Sequence, residues 1–84
     1  MNIMKMRVHV SLKTTVLDPQ GQTIQSALKG LGHRTITSVR QGKYFALSLA
    51  DGLDQQAART QVERIAREVL TNPVIEEFTY RIEE

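Results

Sequence analysis

Residues 4–13, MKMRVHVSLK, alternate without a break: Met4, Met6, Val8, Val10 and Leu12 fall on one side, and Lys5, Arg7, His9, Ser11 and Lys13 on the other. A backbone that turns successive side chains to opposite faces is a β-strand, so this run predicts a strand with one face buried and one face wet. The rest of the chain must then cover the apolar side. The stretch LDPQGQTIQSALKGLG offers a first helix, with Asp18 suited to the N-cap, Pro19 to the first helical position, and Ile24, Ala27, Leu28 and Leu31 at helical spacing. Gly30 and Gly32 predict its end.

TITSVRQGKYFALSLA reads as two strands joined at Gln41 and Gly42, because glycine accepts the positive φ of a hairpin turn; Phe45, Leu47 and Leu49 share one face of the second strand. DGLDQ is turn chemistry. Asp54 can cap a helix running to about Thr71, with Ala58, Val62, Ile65, Ala66, Val69 and Leu70 as its apolar stripe and Arg59, Glu63, Arg64, Arg67 and Glu68 mostly in water. The ring of Pro73 disfavours helical geometry at Asn72 and ends it. VIEEFTYRIEE closes the chain as a strand with Phe78, Tyr80 and Ile82 on one face.

The order β-α-β-β-α-β predicts one α+β domain over residues 1–84, a ferredoxin-like four-stranded antiparallel sheet with two helices on one face. The free face is expected to show Lys5, Arg7, His9, Tyr44, Ala46, Ser48, Thr79 and Arg81. Such a face, with unpaired edge strands beside it, invites a partner chain. A domain of 84 residues buries only about 60–65% of its unfolded surface, so oligomerisation is a natural remedy for a marginal core.

Several kinds of chemistry are absent from the text. The chain has no cysteine, hence no disulfide, thiolate nucleophile or thiolate metal ligand. Its two histidines, His9 and His33, stand in no H-x-x-x-H or H-E-x-x-H pattern, and no metal site is expected. Ser11, Ser26, Ser38 and Ser48 lack an activating context. Glu76 and Glu77 are adjacent on a strand and point to opposite faces, which suits edge charges better than acid–base pairing, and Glu83 and Glu84 read the same way. Gly30-Leu31-Gly32 follows a helix rather than a strand, so it is no dinucleotide loop. RQGK at 40–43 has one glycine and no helix start after it, which favours a turn with flanking cations over a phosphate grip. No catalytic or cofactor-binding residue is expected on this chain.

A formal charge of +2 is too small to argue for a polyanion. Of the aromatic residues only Tyr44 is placed for base stacking, so no nucleic-acid partner is expected. No apolar run approaches the ~20 residues of a membrane span, and MNIMKMRVHV lacks the apolar region of a secretory signal. The chain reads as mature and cytoplasmic, with no membrane partner.

VLDPQG at 16–21, then ALKGLGH, SVRQGKYFALSLA and LTNPVIEEFTYRIEE, taken together, resemble the PurS-type small subunit of phosphoribosylformylglycinamidine synthase. The resemblance runs from Arg7 to Glu83 in order and spacing. It implies a ligase of purine biosynthesis made of separate subunits. A large synthetase subunit would use ATP and Mg²⁺ to activate the amide oxygen of formylglycinamide ribonucleotide. A glutaminase subunit would release ammonia, and the small subunit would join the two and assist ammonia transfer. It also implies a homodimer or tetramer. Arg40, Gly42 and Lys43 match the family's hairpin pattern, whereas Ala46 stands where the family often carries an acid. The candidate partner-interface residues are Arg40, Gly42, Lys43, Tyr44, Glu76, Glu77 and Arg81. The alternative reading is a stand-alone ferredoxin-like module that binds a small ligand or RNA.

Overall fold

The computed structural model describes residues 4–50 and 52–83. Strand β1 spans Met4–Leu12, helix α1 Pro19–Gly30, strand β2 Gly42–Leu49, helix α2 Gln55–Ile65 with a π-helical turn Ala66–Leu70 continuing it, and strand β3 Glu76–Glu83. The sheet is three-stranded and antiparallel, in the order β2-β1-β3. β1 lies at the centre, paired on both of its edges. Val8 lies between Phe45 and Tyr80, and Val10 between Lys43 and Phe78.

Met6, Val8 and Val10 are buried against Ala58, Val62 and Ala66, with Phe45, Leu47, Leu49, Leu70, Phe78, Tyr80 and Ile82 packed around them. Ala58 and Ala66 put small side chains on the buried stripe of the helix. The π turn widens the coil, so Ala66 stays buried while Val69, expected in the stripe, is 74% exposed. Asn72 closes the helix-to-strand turn: its side chain accepts from the Val74 N–H, and its carbonyl accepts from Ile75 and Glu76.

Three expectations are corrected. Among the described residues there is no fourth strand: residues 36–41 have no regular structure. Ile36, Thr37 and Val39 favour extended backbone, but the segment is bonded to α1 and its cap rather than to the outer edge of β2: the Thr37 carbonyl accepts from the Gln25 amide and the Gln41 N–H donates to Asp18. The bend at Gln41 and Gly42 is therefore no hairpin. Gly42 begins β2, and the described glycines with positive φ are Gly32 and Gly52. Finally, α1 adds nothing to the core cluster, and Gly21 is its one buried residue.

Helix α1 is nonetheless well terminated. Gly32 at φ 93° lets its own N–H reach Lys29 O at 3.1 Å and the His33 N–H reach Leu28 O at 2.9 Å, the paired bonds of a Schellman end. With α1 and the return segment carried outside the core, the chain is long and thin, 51 × 29 × 14 Å. Its radius of gyration is 16.5 Å, against about 12 Å for a compact domain of this length.

Candidate functional site

The candidate residues separate into two places. Arg40, Gly42, Lys43 and Glu76 gather where the arm formed by α1 and residues 31–41 meets the sheet. Tyr44, Glu77 and Arg81 lie on the sheet face opposite α2, as the register with His9, Ser11 and Arg7 requires.

The joint is organised by Asp18. Its side chain is buried, with one carboxylate oxygen accepting from the Gly21 N–H at 3.1 Å and the other from the Gln41 N–H at 2.7 Å. The bond to Gln41 is the larger of these in holding the Asp18 carboxyl below its ordinary pKa; Gly21 and the nearby Arg40 charge act the same way, against the opposing effect of burial. One side chain thus caps the start of the arm and fixes its end. Gly21 is needed because a Cβ there would stand 2.5 Å from Asp18 Oδ2 and from Val39 O.

Arg40 turns back onto its own chain, donating to Lys13 O and Val16 O, both at 3.0 Å. Lys43 stands 3.7 Å from Glu76, tying the start of β2 to the start of β3. Gln41 donates to Gln20 Oε1 at 2.7 Å. Gly42 is constrained by proximity rather than by a turn: a Cβ would meet Val10 O at 2.7 Å. A shallow cleft of about 250 Å³ opens here among Ser11, Gln20, Lys43 and Glu76. Its amides and ions are paired with one another, so the arrangement holds the arm in place and leaves no activated nucleophile.

Across the free face run four ranks: Gly42, Ser11 and Glu77; Tyr44, His9 and Thr79; Ala46, Arg7 and Arg81; Ser48, Lys5 and Glu83. The Arg7 guanidinium lies 4.7 Å from the Tyr44 ring centroid and pairs with Glu83 at 3.2 Å, and the His9 and Tyr44 rings are 5.9 Å apart. Alternation alone predicts this face, and the structure has it. What sequence reasoning missed was the second role of Asp18. Its N-cap signal was legible, but a bond 23 residues away leaves no local trace.

Fold and surface define a class: a small α+β chain that presents an uncovered sheet face, two strand edges and a projecting helical arm. The family model described as PurS, phosphoribosylformylglycinamidine (FGAM) synthase, matches residues 5–84. The PurS subunit of that synthase from Mycobacterium leprae is 47% identical over 72 residues, 86% of each chain. The crystal structure of Methanocaldococcus jannaschii PurS, a subunit of formylglycinamide ribonucleotide amidotransferase in the purine biosynthetic pathway, is 31% identical with a TM-score of 0.84 over 96% of each chain. A chain of the PurLQS structure from Thermotoga maritima is 29% identical with a TM-score of 0.84, covering 99% of this chain and 100% of that one. The chain belongs to the PurS family, subunits of phosphoribosylformylglycinamidine synthase in purine biosynthesis.

Proposed function

We propose that this chain joins an ATP-using synthetase subunit to a glutaminase subunit and couples release of ammonia to its use, without supplying a catalytic group. The supporting observation is the PurS match over residues 5–84 in a chain that has no cysteine. Glutaminase chemistry of the cysteine type therefore belongs to another subunit, as do ATP and Mg²⁺. The solved PurLQS assembly contains a chain of this fold and supports the same partners. The setting is the cytoplasm.

The chain works as a homo-oligomer, a dimer or tetramer. Leu31 is 75% exposed, and Ile24 and Ile36 of the same arm are exposed too, while β2 and β3 each keep an open outer edge. A second copy that covers the arm would provide the burial that an elongated 84-residue chain lacks.

The test is formation of formylglycinamidine ribonucleotide by the cognate large and glutaminase subunits, with and without this chain, fed with glutamine or with ammonia. Dependence on the chain for the glutamine reaction alone supports coupling. A response in neither reaction refutes it.

A further inference from the structure

The sheet face opposite α2 is uncovered on all three strands. Tyr44 is 58% exposed, and Ala46, Thr79 and Arg81 beside it are exposed as well. At its centre Arg7 and Arg81 are direct cross-strand neighbours. Like charges placed so are unfavourable unless a counter-charge meets them. Glu83 answers Arg7, but among the described residues no carboxylate lies within ion-pair distance of Arg81. The Nε of Arg7 is buried and finds no acceptor among the described residues. A tyrosine with an arginine over its ring, a second arginine two strands away and small residues between, is also the composition of an interface centre rather than of an ordinary wet face.

We propose that this face docks an acidic segment of a partner subunit, a helix or extended strand whose carboxylates lie over Arg7 and Arg81 and whose apolar atoms cover Tyr44. The proposal rests on the reading that the chain joins other subunits, and it names the surface and the chemistry of one contact. A second copy stacked symmetrically on the face would bring one pair of arginines towards another, so charge favours a different chain. A polyphosphate backbone is disfavoured by Glu77 and Glu83, which stand near the two ends of β3. By strand spacing and rise the face offers roughly 400 Å², about half of one side of a standard interface, which suits a segment and not a whole domain.

Wild-type chain, Arg81→Glu, Arg81→Lys and Tyr44→Ala are titrated against the cognate synthetase and glutaminase subunits with ATP, Mg²⁺ and glutamine present, and each is checked alone for thermal melting and oligomeric mass. The expected result is binding about tenfold or more weaker for Arg81→Glu and Tyr44→Ala. Arg81→Lys should stay within about threefold, because the charge is kept; mass should be unchanged, and melting should change little, rising if at all in Arg81→Glu, which puts an opposite charge beside Arg7. Wild-type affinity in both weakened variants overturns the proposal. So does an Arg81→Glu variant that loses its own oligomer, which would give the face to a second copy, or a wild-type chain that binds a single-stranded RNA oligomer through Arg81 in place of the subunits. A wild-type chain that binds neither subunit overturns the subunit reading and this proposal together, whereas failure of the variants alone to weaken binding leaves the subunit reading standing.

Discussion

The Asp18 carboxylate accepts a hydrogen bond from the backbone N–H of Gln41 at 2.7 Å, across 23 residues of sequence, while also capping α1 through Gly21. The arm between them is pinned at both of its ends by one side chain. Protonation would remove that double acceptor. Because the folded-state pKa is lowered, the stabilisation is present above the unfolded value and is lost as pH falls through the folded one. Below about pH 4, amide exchange at Gly21 and Gln41 should therefore rise before the β1 amides lose protection. Asp18→Asn should show the same faster exchange at neutral pH, and unchanged protection at Gln41 in that variant would refute the role.

Two glycines should respond oppositely to alanine. At Gly42 a Cβ would stand 2.7 Å from Val10 O, a backbone atom of the central strand. Gly42→Ala is expected to destabilise by about 1–3 kcal/mol. At Gly30 nothing lies within 4 Å, and Gly30→Ala should stabilise by about 0.4–1 kcal/mol through the unfolded chain. Urea midpoints of the two variants decide the matter.

Arg40 donates to the carbonyls of Lys13 and Val16, which closes the loop before α1. Its loss in Arg40→Ala should cost about 1 kcal/mol. Lys43→Ala, removing an ion pair in which the lysine side chain is 56% exposed, should change stability by less than about 1 kcal/mol. Equal losses in thermal denaturation would argue against this division of labour.

Leu31 and Met6 are both large and apolar, but only Met6 is in the core. Met6→Ala should cost about 2–5 kcal/mol. Leu31→Ser should leave the melting of the single chain almost unchanged and weaken self-association about tenfold or more, read by sedimentation. A Leu31→Ser chain with undiminished self-association would remove the arm from the oligomer contact.

Removal of residues 78–84 should abolish the fold outright and not only an oligomer. β3 pairs with β1 from Lys5 to Leu12, and Phe78, Tyr80 and Ile82 pack against the core. A truncated chain that keeps its circular dichroism spectrum would show that β3 is dispensable.

The sequence by itself determined β1, α2 and β3 and, Val69 apart, which of their residues look inwards. Those facts are periodicities of two and 3.6 residues, and a periodicity is a local property that one chain segment carries whole. The end of α1 was legible for the same reason, in Gly32. Local text could not decide the fate of residues 35–41. Their side chains favour a strand, but the segment is held against α1 and its cap by the Gln25 amide on the Thr37 carbonyl and the Asp18 carboxylate on the Gln41 N–H, contacts that no local pattern carries. It could not show that α1 stands off the core, since its stripe specifies a face to be covered and not the partner that covers it. Nor could it give the reason for Gly42. Only the folded chain brings Val10 O to within 2.7 Å of where a Cβ would stand, a steric limit set by a neighbour 32 residues away in sequence.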